Sequence, residues 1–429
     1  MSSELDRLEL SRLVHRFGFG PKPGQYRELL NAGIENARAT ILSSHVADPG
    51  LARVVDPHIT NMGEAPSGKA ASEAYWRKVW NQYMTMSMWW LDRMVHADHP
   101  LNERMTWFWH GHWATSIGKV GFALPMKRQN ETLRKYALGN FADMSRAMIV
   151  DGALIYWLDG EVNVKDSPNE NLAREFMELF TLGVGHYSES DVKAAAKGLT
   201  GYQVVDTSGR VTFDPSQHDY SKVRLLGAVK SFTAPTISDL VVAREESARY
   251  IARRMWFRFV SSTLPAPGSL TQSFAHRNIA SLAFAVARNP VMRRPGVSLA
   301  KSPVEWFVGA CKALRVAPSK LDSGAVSWYL GQMGQFPFNP PNVGGWPYDE
   351  AWLTASSAQY RFSMAQYLVE KGNVAPLGKS RAHMVNEAAD WLGVARWSAR
   401  TEHALRLATS DPAQLAVLAI CAPEYVVSV

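Results

Sequence analysis

The sequence predicts a mainly α-helical fold: a large multi-helix globular body with one small β-hairpin inserted in it. Apolar residues recur at three- and four-residue spacings along most of the 429-residue chain, the period of a helix with one buried face. Helix start and stop signals, such as Ser188 before a polar first turn or Gly20 before Pro21, punctuate these stretches. Only residues 202–206 and 210–214 alternate as paired strands do, around Thr207-Ser208-Gly209.

Leu8, Leu10, Leu13, Val14 and Phe17 mark the first helix, which Gly18 and Gly20 end. Residues 26–42 read as a second helix, and 44–69, rich in Pro, Gly and Asp, as a surface loop. Residues 72–96 form a long helix with Trp76, Trp80, Tyr83, Trp90 and Met94 at helical spacings. Pro100 suits the first turn of the next helix, which runs toward His110 with Gly111 as its kink or end. Helices follow over 124–150, 167–183 and 188–199. Beyond the hairpin, 239–260, 270–288 and 303–314 are helical, and 331–346 is a rigid Gly/Pro loop. Helices over 352–370, 382–392 and 402–409 close the chain. No clean boundary divides it, so residues 1–429 read as a single large helical domain with 200–238 as a hairpin and loop excursion.

Composition narrows the function. Lys+Arg minus Asp+Glu is 46 − 39 = +7, but the basic residues are dispersed, which argues against a nucleic-acid partner. Cys311 and Cys421 have no CxxC context and read as buried thiols. No stretch reaches the roughly 18 apolar residues a membrane span needs, and the N-terminus carries no apolar signal core, so the expectation is a cytoplasmic protein. GxxxxGK[ST], GxGxxG, GxSxG and HExxH are all missing, so no nucleotide cofactor is expected. Fifteen tryptophans imply thick aromatic packing and an aromatic-lined cleft.

Two segments set charge among residues suited to burial. In the first, SPNENLAREFMELFTLG from Ser167, the serine, Pro168 and Glu170 spell a capping box. Leu172, Phe176, Leu179 and Phe180 form an apolar face, and Asn171, Glu175 and Glu178 a stripe beside it with Arg174 at its edge. The same SPxE spelling recurs at Ser302-Pro303-Val304-Glu305. The second segment, MTWFWHGHW from Met105, sets His110 and His112 among tryptophans including Trp109. On a continuous helix these histidines point about 200° apart; a break at Gly111 would let them share one side. His186 after the carboxylate helix, the adjacent pair His218-Asp219, and Trp346 are further binding candidates.

These segments resemble the bacterial family catalogued as domain of unknown function 1800. LVHRFGFGP, ERMTWFWHGHW, PNENLAREFMELFTLGVGHYSESDV, LTGY, the His218-Asp219 pair, KSPVE and GQFPFNPPNVGGWP carry the resemblance in order along almost the whole chain. It implies a predominantly helical protein and no established activity. It also implies a sulfatase-like partner protein, because relatives are often encoded beside one.

The resulting expectation is an enzyme-like helical protein with a His/carboxylate cleft. His110, His112, Arg174, Glu175 and Glu178 would be catalytic, with hydrolytic or redox chemistry. A divalent metal ion held by His110, His112, Glu175 and Glu178 is the cofactor those residue types suit. The alternative is a non-catalytic glycan-, peptide- or protein-binding protein in which the charges form a structural ion-pair core.

Overall fold

Short local signals set the helix boundaries. The computed structural model describes residues 3–43, 47–205, 207–378 and 380–428. Among these lie 22 α-helices and three two-stranded antiparallel sheets, a mainly α architecture as the periodicities predict. Ser3 with Asp6, Ser188 with Asp191 and Ser302 with Glu305 each close a capping box. Several long periodic stretches divide at single residues. The 26–42 helix becomes Gln25–Ala32 and Ile34–Ile41, parted by Gly33 at φ 84°, a conformation that glycine adopts without strain. The 124–150 helix becomes Ala123–Tyr136 and Phe141–Met148, with Asn140 capping the second piece.

Ser167 does not cap a helix. The helix starts later, at Asn171, and the Glu170 side chain makes no cap bond. Asn163 accepts from the Asn169 amide at 2.8 Å, and Asn169 from the Asn171 amide at 2.9 Å, so asparagine turns hold the entrance instead. The α-helix Asn171–Glu175 then widens into a π-helix, Phe176–Thr181, and Gly183 at φ 85° ends it.

The expected hairpin is present: β1 (Tyr202–Val204) pairs with β2 (Val211–Phe213), Tyr202 opposite Phe213. Residue 206, expected within it, lies outside the described residues, as do 44–46 of the expected loop. Two more sheets correct the expectation of a single hairpin. β3 (Val223–Leu225) and β4 (Ala228–Lys230) join through Leu226 and Gly227, both at positive φ, as a two-residue hairpin turn requires. β5 (Leu299–Ala300) pairs with β6 (Val427–Ser428), bringing the end of the described chain back to a distant segment. β5 and β6 have two residues each, too short for alternation to register.

Buried side chains gather in two apolar cores. The helix Leu101–His112, here the histidine helix, lies between them. It sends Leu101, Met105, Phe108 and Trp109 into one core and Trp107 into the other. Its Glu103 is buried and accepts from Trp90 Nε1, Arg93 Nε and Arg134 Nε at 3.0, 2.7 and 2.8 Å. Burial alone would raise this carboxyl's pKa; the Arg134 and Arg93 charges outweigh it and hold it below its ordinary value. Cys311 is a buried free thiol, while Cys421 is half-buried.

Candidate functional site

The histidine helix runs unbroken through Gly111 to His112, so its two imidazoles leave on opposite sides. His110 enters the first core, against Trp90, Trp107, Phe338 and Trp346, and its Nε2 accepts from the Phe338 amide at 3.1 Å. His112 enters the second, against Trp109, Trp113 and Phe180, and its Nε2 donates to the Phe180 carbonyl at 2.9 Å. Burial pushes both imidazoles down to about 3. The expectation that a break at Gly111 turns both to one side is therefore corrected. Close packing at this point requires glycine at 345 rather than at 111: a Cβ on Gly345 would lie 2.3 Å from the Gly111 carbonyl oxygen.

The carboxylate segment has its own local order. Arg174 pairs with Glu170 at 3.0 Å and Glu189 at 2.6 Å, outside the Glu175/Glu178 stripe. Glu178 accepts a short hydrogen bond from the Tyr187 hydroxyl. Partial burial, and then the Glu178 charge, hold the Glu175 carboxyl above its usual range. The π-helix frees its last carbonyls, and side chains take them up: Tyr250 donates to Leu179 O at 2.7 Å and His112 to Phe180 O.

The other candidates are dispersed. Asn171 donates to Leu158 O at 3.1 Å, and Trp109 Nε1 to Ala137 O at 3.0 Å. His186 is exposed. Asp219 forms a turn with the Ser221 amide and pairs with Lys197, while His218 Nδ1 donates to Thr200 O at 2.9 Å. Among the described residues no three His, Cys, Asp or Glu side chains are grouped so as to hold a metal ion.

A different constellation occupies the seam between the two cores. Arg16, Arg104, Arg258 and Lys301 line one cleft with Glu305 and Asp349, four basic side chains against two carboxylates. Trp107, Trp346, Tyr348 and Trp352 add aromatic walls, with Trp107 and Trp346 stacked at 5.2 Å. Space for water-sized occupants amounts to about 60 Å³. Of the candidate site residues named from the sequence, Trp346 alone lines this cleft; Ser302 and Glu305, read there only as a helix cap, and Gly111 line it too.

Each wall is built locally. Arg104 extends from the histidine helix, donates to Arg16 O at 2.9 Å and pairs with Glu305 at 2.7 Å. Glu305 thus serves both the Ser302 capping box and the cleft. Arg16 holds Ser428 of β6 through Nε at 2.9 Å and Nη2 at 2.7 Å. Arg258 lies on the helix Glu245–Phe259 and holds Trp346 O at 2.9 Å. That helix carries Tyr250, Arg254 and Arg258 at four-residue spacing, one stripe from the π-helix to the cleft.

Lys301 follows β5. Its backbone amide donates to Val426 O at 2.9 Å, and its side chain is 6% exposed. Among the described residues the amine nitrogen has no hydrogen-bond partner, and it lies 3.5 Å from the centre of the Tyr425 ring. Sequence reasoning assigned KSPVE to a helix cap and passed over its lysine. The available signal was a lysine directly before a capping box in an apolar surround.

Fold and site together define a mainly α protein with a buried cationic cleft at the junction of two cores. The family model for "Protein of unknown function (DUF1800)" matches residues 12–427, and the chain belongs to that family. No curated protein and no solved structure matches it. No helix among the described residues is long and apolar enough to cross a membrane. The HR of LVHRFGFGP, the arginine of ERMTWFWHGHW, the lysine and glutamate of KSPVE, and the tryptophan of GQFPFNPPNVGGWP all meet at the seam cleft.

Proposed function

We propose that this protein is an enzyme-like binder of a small organic anion, with the seam cleft as its site. The observation that carries this is the convergence of three guanidinium groups and the Lys301 amine, from four separate segments, on one small cleft. Burying like charges is costly unless a counter-charge joins them. Glu305 and Asp349 supply two, which leaves an excess that an anion would neutralise. Guanidinium groups suit carboxylate because their donors form a rigid fork. His110 and His112 brace the structure around the cleft: His110 fixes the Phe338 turn and packs on Trp346 of the cleft wall, and His112 holds the π-helix. The Glu175/Glu178 carboxylates lie at the far end of the Tyr250–Arg254–Arg258 stripe, as a second charged centre.

Thermal unfolding with oxalate, sulfate or chloride added at matched ionic strength tests this reading. Oxalate is expected to raise Tm more than chloride does, and Arg258→Gln to abolish the difference. Equal shifts with all three salts would remove the anion site.

A second reading, glycan binding, has its own observation. Trp76 and Trp80 sit one turn apart on the helix Lys69–His96 and are about half exposed, at 51% and 55%. Trp76 stacks on Phe122 at 6.3 Å, beside a groove of about 240 Å³ lined by Phe122, Tyr156 and Val205. Flat exposed indoles suit the C–H faces of sugar rings. Tryptophan fluorescence during titration with soluble oligosaccharides, compared with Trp80→Ala, tests it; an unchanged spectrum with every sugar would sink it.

A further inference from the structure

We propose that Lys301 is a nucleophilic amine that condenses with the carbonyl group of a small 2-oxo acid held in the seam cleft. This rests on the anion-binding reading above and adds the class of ligand and the reaction.

The chain contains two buried lysines near this point, and they differ in kind. Lys312 donates from Nζ to Gly18 O at 2.8 Å, so its amine is anchored. Lys301 lines the cleft with no hydrogen bond to its amine among the described residues. Ordering and burying a lysine costs rotamer entropy and desolvation. A hydrogen bond offsets that cost at Lys312; at Lys301, among the described residues, only the face of the Tyr425 ring does.

The surroundings suit a neutral amine beside a carboxylate. The Tyr425 ring lies under Nζ. Arg16 and His15 face the cleft from the first helix, Arg104 from the histidine helix, and Glu305 from the helix that Lys301 precedes. Arg361 donates to the Lys301 carbonyl oxygen at 3.3 Å, behind it. Burial pushes the amine well below its ordinary pKa, and the Arg361 charge adds to this against the pull of Glu305. A desolvated lysine with cationic neighbours is an activated nucleophile at neutral pH. The space of about 60 Å³ would hold on the order of four or five waters, which is the size of a two- or three-carbon oxo acid.

The chemistry balances within these parts. The nitrogen lone pair forms the C–N bond, and the carbonyl π pair moves to oxygen, which takes one amine proton to give a carbinolamine. That hydroxyl departs with the second amine proton as water, leaving a neutral imine. The acid's carboxylate stays against the guanidinium groups throughout.

The test is trapping on the full chain with glyoxylate and cyanoborohydride, followed by peptide mapping for carboxymethyl-lysine. At about pH 6, Lys301 is expected to react at least about tenfold faster than any exposed lysine, because each unit of pKa lowering gives tenfold more free amine. Oxalate, which has the carboxylates but no reactive carbonyl, should slow trapping at Lys301 alone. Lys301→Met should remove that adduct, and parent peptide mapping with oxalate protection answers the question even if this variant fails to fold. Tm stabilisation by oxalate with no selective adduct would overturn the amine proposal and leave the anion site standing. No stabilisation and no adduct would overturn both. Equal labelling of Lys312 or surface lysines would overturn the role of the cleft.

Discussion

His112 and Phe180 are joined by a 2.9 Å hydrogen bond from the imidazole Nε2 to the main-chain oxygen, which ties the histidine helix to the π-helix. The bond lies inside an apolar core, where an unpaired carbonyl is expensive. His112→Phe keeps the ring packing and removes the donor. We expect a loss of about 1–3 kcal/mol in stability, measured by urea unfolding. Unchanged stability would mean that the π-helix end does not depend on this bond.

Acid should destabilise the protein below pH 6.5. His110 and His112 are held near 3 in the fold against 6.5 as their ordinary value, and His15 is also held well below it. The unfolded chain therefore binds more protons in that window, so stability rises with pH through it and is lost as pH falls. Each such histidine contributes about 1.4 kcal/mol per pH unit. Asp151, held up near 6 by burial against an ordinary 3.8, acts in the opposite sense between those two values. Three buried histidines outweigh this one aspartate between about pH 4 and 6, so the net slope keeps the sign of the histidines. Unfolding free energies measured across this range check the slope, and His110→Phe should reduce it by one proton.

Glu178→Gln should leave stability within about 1 kcal/mol, since the amide still accepts from Tyr187 and Arg174 is paired elsewhere. It should also lower the pKa of Glu175, whose carboxyl the Glu178 charge helps to hold up. NMR titration of the Glu175 carboxyl reads this directly. A larger loss of stability would assign Glu178 to an ion-pair core.

Gly111 and Gly345 face each other, but replacing them should have opposite effects. A Cβ on Gly111 would meet only Trp346 at 3.9 Å, an ordinary contact. Gly111→Ala is expected to stabilise the helix by up to about 1 kcal/mol while narrowing the cleft and weakening oxalate binding. Gly345→Ala combines φ 85° with a 2.3 Å clash against Gly111 O, and should destabilise strongly. Thermal melts of the two variants separate these cases; equal effects would contradict the packing described.

The 331–346 loop shows how far local chemistry reaches. Its prolines and aromatics predict a rigid, packed segment, and Phe336, Phe338 and Trp346 are indeed buried. What they pack against does not follow from the loop itself: Phe338 lies on His110, and Trp346 on Trp107.

Helical class, the Ser188 and Ser302 caps and the β1–β2 hairpin follow from the sequence by itself. Each is set by spacings of a few residues, where the 3.6-residue period and side-chain caps act. The seam cleft was decided only by the tertiary structure. Its parts, Arg16, Arg104, Arg258 and Lys301, lie tens to hundreds of residues apart and each has an ordinary local context. A carboxylate stripe on one helix is visible as a pattern. A site of single residues from four segments exists only once two cores pack against opposite faces of the histidine helix and draw those segments together.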